Sequence, residues 1–175
     1  DDLLSPEGEL QAEQLVGELA EHGIQHIYSS PLKRANQTAQ QLAAKVGCPL
    51  TTVDGLKERN QYGPLTGVTK AQARQQSPDL VEALKDRLNT LPGAESYAAA
   101  SQRMSRAYTD VVSNAEAEGH TCVAAVWHGG GLRVLFRDIL KLGELREIGD
   151  CCWVELERAT PVSAFVIKRA ERISF

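Results

Sequence analysis

Residues Thr121–Arg133 read TCVAAVWHGGGLR, a short apolar run cut off by a histidine and three consecutive glycines, with a helical pattern following at once. The run from Cys122 to Trp127 has the length and β-rich composition of a buried strand. In LRVLFRDIL, the residues Leu132, Leu135, Phe136, Ile139 and Leu140 fall on one face at helical spacing. The stretch therefore predicts strand, turn, helix. Glycines at 129–131 permit positive φ and close backbone approach, and the helix start presents unpaired N–H groups at the positive end of a dipole. His128 and Gly129, on the edge of such an anion cradle, point to phosphate or oxyanion chemistry; the plainer alternative is a tight turn with an incidental histidine.

Working outward, Ser5-Pro6-Glu7 starts a helix, with Ser5 as N-cap and Pro6 at the first turn, carrying Leu10, Leu15, Val16 and Leu19 up to Gly23. Ile24 to Ser29 reads as a strand, Ser30-Pro31 as the start of a second helix ending at Gly47, and Leu50 to Val53 as a short strand. Residues 54–92 change character: the polar loop DGLKERNQYGPLTG precedes helical segments TKAQARQQ and SPDLVEALKDRL, which predicts a helical insertion on the rim of the sheet. A long helix is expected from Tyr97 to Glu118, and two more strands at Cys151 to Glu157 and Ala164 to Ala170. Strands alternating with helices through short connections predict an α/β fold, a mostly parallel, mixed sheet flanked by helices on both faces. With no repeat and no long linker, residues 1–175 are expected to form a single domain.

Composition excludes several partners. Nineteen Lys plus Arg against 23 Asp plus Glu give a net charge of -4, so no basic field is available for nucleic acid. No apolar run approaches the roughly 20 residues that span a bilayer, and no signal-like segment opens the chain, so a cytoplasmic protein without membrane partners is expected. The four cysteines, Cys48, Cys122, Cys151 and Cys152, lack metal spacing and read as buried free thiols. His22, His26, His120 and His128 form no HxH or HExxH pattern, so no metal and no cofactor is expected. Oligomeric state is not readable.

Further candidates flank the glycine turn. If Ser30 caps the second helix, Arg34 lies in its first turn, at the carboxyl end of a strand where ligands of open α/β sheets gather, so Arg34 and His128 share one crevice. The guanidinium fork suits phosphate oxygens; the commoner fate of an arginine is solvating a helix face. Glu58, beside Arg59 in a glycine-punctuated loop, is a candidate proton donor, against a solvated charge cluster. Glu95, just before the long helix, is placed to cap N–H groups or orient an arginine. The HGGG sequence also occurs in lipase oxyanion holes, but no GxSxG nucleophile elbow accompanies it, and neither a GxxxxGK[ST] loop nor GxGxxG is present.

In order, SPEGELQA, SSPLKRANQTA, LKERNQYGPLTG, PGAES and WHGGGLR resemble the histidine phosphatase superfamily, the phosphoglycerate-mutase-like group, over Leu4 to about Arg133. The resemblance implies a three-layer sandwich and a metal-free phosphomonoesterase of the phosphatase branch, acting on a small phosphorylated metabolite through a phosphohistidine. It implies that Arg34 binds the phosphoryl group, that His128 is the second active-site histidine, and that Glu58 is general acid and base. Glu95 then supports the site, while Ser30 and Gly129 shape the pocket for the substrate or inorganic phosphate. The family's nucleophile lies in an Arg-His-Gly motif ending its first strand, and the sequence from Asp1 shows no such motif. Since that strand is interior to the family's sheet, residues ahead of Asp1, or a substitute strand, are expected to supply it. The competing reading is an inactive phosphate-binding or structural relative. Ala94 and Trp127 also depart from the family pattern, and Trp127 is expected to narrow or reshape the pocket.

Overall fold

In the computed structural model, which describes residues 2–175, the first helix begins as the sequence directs. Ser5 accepts a hydrogen bond from the Gly8 N–H, Pro6 sits at the start, and helix α1 spans Pro6–Leu19. Strand β1 (His26–Ser29) follows, then α2 (Lys33–Val46), which stops at Gly47 because its φ of 71° is open to glycine; the Gly47 N–H closes on the Ala43 carbonyl. Strand β2 is Leu50–Thr52, and after the rim segment come α3 (Lys70–Gln76), α4 (Pro78–Ala83), α5 (Tyr97–Ala117) and β3 (Val123–Val126).

The sheet has the order β2-β1-β3 with both pairings parallel: Ile27 stands opposite Leu50 and Ala124. Helices cover the two faces. On one, Ile27 packs with Val16 of α1 and Ala39 and Leu42 of α2; on the other, Tyr28 packs with Leu56 and with Ala107 and Val111 of α5. Burying a side chain such as Ile27 or Leu42 stabilises the fold by about 1.5–3 kcal/mol, so these two contacts anchor the layers that carry the crevice. This is the expected α/β sandwich.

The chain then enters α6 (Gly129–Val134), winds wider through a π-helical turn at Leu135–Ile139, and ends in β4 (Glu147–Glu157) and β5 (Val166–Ser174). These last strands do not extend the parallel sheet as a single mixed sheet would. They pair with each other as an antiparallel ribbon, bulged near Cys151 and Arg172, both at positive φ. Glu18 of α1 fastens the ribbon, accepting from Arg172 Nη1 and Nη2 at 2.9 and 2.8 Å and from Trp153 Nε1 at 2.9 Å.

Two further expectations change: the helix expected from Ser77 ends at Ala83, and the four cysteines are half-buried rather than buried. The rim insertion also has a small core of Leu65, Ala73 and Leu91 that gives it its own apolar anchor.

Candidate active site

The crevice lies at the carboxyl ends of β1 and β3. The Ser30 N–H bonds the Val126 carbonyl, holding the two strand ends together. Ser30 does not cap α2: the N-cap residue is Leu32, without a side-chain cap, and the Ser30 hydroxyl accepts from the Leu32 N–H at 3.2 Å instead. A serine two residues ahead makes a local turn, and Pro31 between them delays the helix. Arg34 still falls in the first turn, and its Nη2 lies 3.3 Å from His128 Nδ1. The other ring nitrogen, Nε2, lies 2.8 Å from Ser30 Oγ. A guanidinium only donates, so Nδ1 accepts and Nε2 carries the proton toward Ser30. Burial first, and the Arg34 charge second, lower the His128 pKa to about 4 and keep the ring neutral near pH 7.

Of the two reasons the sequence offers for the three glycines, positive φ and close approach, only the second holds. None has positive φ; all three lie in α6. A Cβ on Gly130 would stand 2.2 Å from Glu58 Oε1, and one on Gly131 would stand 2.7 Å from the Trp127 ring, whereas at Gly129 the nearest atoms are Ile148 carbons at 3.9 Å. Close approach is thus the requirement, and only at 130 and 131. Trp127 does not simply wall the crevice, since its ring lies under Gly131 and packs into the clusters around Tyr28 and Phe136. The Gly130 N–H is taken by an internal carboxyl group: it donates to Glu58 Oε2 at 3.1 Å, while Oε1 accepts the Arg59 N–H at 2.8 Å. Glu58 is thereby drawn to the same strand end as His128.

Two arginines hold the Glu58 loop. Glu95 takes Arg103 of α5 in a two-pronged pair, Nε to Oε1 at 2.9 Å and Nη2 to Oε2 at 2.7 Å. Arg103 Nη1 then donates to the carbonyls of Gly55 and Lys57 at 2.8 and 2.9 Å, the residues leading into Glu58. Glu95 therefore reaches the site through Arg103. Arg59, only 8% exposed, donates from Nε to the Glu95 carbonyl, from Nη2 to Asn89 O at 2.6 Å, and from Nη1 to Arg87 O. It is a buried clamp between the loop and the rim segment, not part of a solvated cluster.

Arg34, Ser30, His128, Gly130 and Glu58 are thus brought together by direct contacts, while Gly129 contributes backbone and Glu95 stands one arginine away. Arg103 escaped the sequence reading. Its signal was periodicity: it lies two helical turns beyond the Ser96 N-cap, on the side where Glu95 enters. The side chains that do approach metal-ligand geometry, His26, Glu118 and His120, lie at the other end of the sheet.

Comparison with known proteins bears on the family and the fold. The family model of the histidine phosphatase superfamily (branch 1) matches residues 1–166. A probable phosphatase of Schizosaccharomyces pombe is 32% identical over 148 residues, covering 80% of this chain and 48% of that protein. Phosphoglycerate mutase-like protein 4 of Arabidopsis thaliana is 31% identical over 138 residues, covering 76% of this chain and 58% of its own length. The chain thus spans about half the length of these curated relatives. Among solved structures, mycobacterial glucosyl-3-phosphoglycerate phosphatase in complex with VO3 superposes with a TM-score of 0.77 at 27% identity, covering 98% of this chain and 86% of that one. Taken with the Arg34–His128–Ser30 cluster at the carboxyl ends of a helix-covered parallel sheet, the match over residues 1–166 shows that the chain belongs to the histidine phosphatase superfamily, branch 1.

Proposed function

We propose that this chain carries the phosphoryl-binding part of a phosphomonoesterase that hydrolyses a small phosphorylated metabolite through a phosphohistidine. The observation that carries the reading is the convergence of Arg34, His128, Ser30 and Glu58 on one strand end. Arg34 and the His128 Nε2–H are fixed donors suited to the equatorial oxygens of a transferring phosphoryl group. A nucleophilic histidine of the kind the family carries in an Arg-His-Gly motif forms the N–P bond as the ester P–O bond breaks. Glu58 gives its proton to the leaving alkoxide, then takes one from the water that attacks phosphorus and releases phosphate. Glucosyl-3-phosphoglycerate phosphatase has been solved with inorganic phosphate, and that ligand class suits the same donors here.

A second reading, a phosphate-binding module without turnover, draws on one observation: of the four histidines, only His128 stands at this end of the sheet. Turnover of an aryl phosphate by the full-length gene product in the presence of a chelator separates the two. Chelator-resistant hydrolysis that falls at least about a hundredfold in Arg34→Ala and in His128→Ala supports the enzyme, by the magnitude usual for removing a transition-state donor. Phosphate or vanadate binding without hydrolysis supports the module, and activity unchanged by both substitutions overturns the site.

A further inference from the structure

At the opposite end of β1 a second cluster assembles from distant sequence. His26 opens β1, and Glu118 and His120 flank Gly119 in the turn after α5. The Glu118 Oε2 atom lies 3.5 Å from His26 Nδ1 and 3.0 Å from His120 Nε2, and the three ligand atoms all lie within 4.8 Å of one another. In a tetrahedral site with metal–ligand bonds near 2.0–2.1 Å, neighbouring ligand atoms stand about 3.3 Å apart, and the two nitrogen–oxygen separations bracket that value. Few side-chain adjustments separate this arrangement from a coordination shell.

The surroundings match what a ligating histidine needs. His26 is 8% exposed, and its remaining nitrogen, Nε2, is 2.8 Å from Thr51 Oγ1 on β2. With a metal ion on Nδ1, the ring proton sits on Nε2 and donates to Thr51 Oγ1, which fixes both tautomer and ring plane; such a partner on the second nitrogen is a regular companion of metal-bound imidazole. The Tyr28 ring stacks on His26 with centroids 4.5 Å apart and adds a second restraint. Glu118 and His120 are more open, with side chains 52% and 22% exposed, so an ion has an entry path and space for water as a fourth ligand. Two imidazoles and one carboxylate suit a divalent transition-metal ion better than calcium or magnesium, which favour all-oxygen shells.

We propose that His26 Nδ1, Glu118 Oε2 and His120 Nε2 bind one divalent transition-metal cation, with zinc the best match, at the amino end of the sheet. The site is distinct from the phosphoryl crevice: β1 separates the two by its length, about 10 Å or more. Bound there, the cation ties the turn after α5 to the central strand. It neither requires nor alters the phosphoryl chemistry proposed for Arg34 and His128.

The test uses the whole chain, stripped of metal and titrated with zinc chloride by calorimetry at neutral pH, with cobalt(II) as a spectroscopic probe. Expected are one zinc per chain, visible cobalt d–d bands without thiolate charge transfer, and at least about a tenfold loss of affinity in His120→Ala and in Glu118→Gln. Both side chains are more open than His26, and an unchanged urea midpoint without metal is expected to show each variant folded. Thr51→Val, which touches no ligand atom, is expected to weaken zinc binding by about tenfold or more through His26 alone. Vanadate binding at the other end stays unchanged in all three. Equal zinc affinity in the wild type and His120→Ala, a cobalt spectrum dominated by thiolate charge transfer, or no stoichiometric binding overturns the proposal.

Discussion

The Arg34 guanidinium donates across 3.3 Å to Nδ1 of His128, so a permanent cation and an imidazole share the end of the sheet and the imidazole stays neutral. Its pKa is lowered from 6.5 to about 4, by burial first and by Arg34 second. The ordering is testable by NMR titration. Arg34→Met is expected to raise the His128 pKa, yet leave it below 6.5 because the larger cause remains. A value at or above 6.5 would show that Arg34, not burial, dominates.

The same depression makes stability depend on pH. The unfolded chain binds a proton at His128 below about 6.5, and the folded chain only near 4, so the unfolded state binds more protons between these values. The stabilisation is fully present above pH 6.5 and is lost as pH falls through about 4. Urea unfolding at several pH values is expected to show this slope, and His128→Gln to flatten it.

Neighbouring glycines are expected to behave oppositely. Gly130→Ala drives a methyl group into Glu58 at 2.2 Å, displacing the carboxylate from the Gly130 N–H and costing about 1–3 kcal/mol together with most of the activity. Gly129→Ala meets only Ile148 at 3.9 Å and gains helix propensity, so its unfolding midpoint should be unchanged or slightly higher. Equal effects at both positions would remove the close-approach explanation.

Arg59→Met leaves the carbonyls of Arg87, Asn89 and Glu95 without their guanidinium donor. The expected cost is about 3 kcal/mol, concentrated in the rim, because a buried acceptor stripped of its partner loses roughly 1–3 kcal/mol. Hydrogen exchange should speed up across residues 60–95 and leave β1 and α2 as they were. Uniform acceleration throughout the chain would argue for a global role instead.

Arg103→Met releases the carbonyls of Gly55 and Lys57 that position Glu58. In the full-length gene product, kcat for a poor leaving group is expected to fall about tenfold, equivalent to about 1.4 kcal/mol, with phosphate affinity preserved. A loss confined to phosphate affinity would place Arg103 in binding rather than in support of the proton donor.

The layered fold was legible because its signals are local: the Ser5-Pro6 start, the Gly47 stop and the apolar runs of β1 and β3 each follow from a few adjacent residues. The shared crevice of Arg34 and His128 was legible too, since parallel strands bring their carboxyl ends to one edge. What stayed hidden depends on contacts across long separations. The role of Gly130 is set by Glu58, 72 residues away, and that of Arg59 by carbonyls 28 to 36 residues on. Backbone acceptors have no sequence signature, and neither does the meeting of His26 with Glu118 and His120. The separate ribbon of β4 and β5 was missed because their pattern shows strand but not which strand is the partner.

The Arg59 clamp bears on how such a scaffold diversifies. All three of its acceptors are main-chain carbonyls, so the anchor does not use the side chain at Arg87, while the Asn89 side chain serves only its own turn, donating to Ala83 O and accepting from the Thr90 N–H. A lineage can therefore rewrite the chemistry of the rim one residue at a time without unseating the loop that carries Glu58. On the function proposed above, substrate preference and catalytic alignment would be heritable separately, with a single guanidinium group on the divide between them.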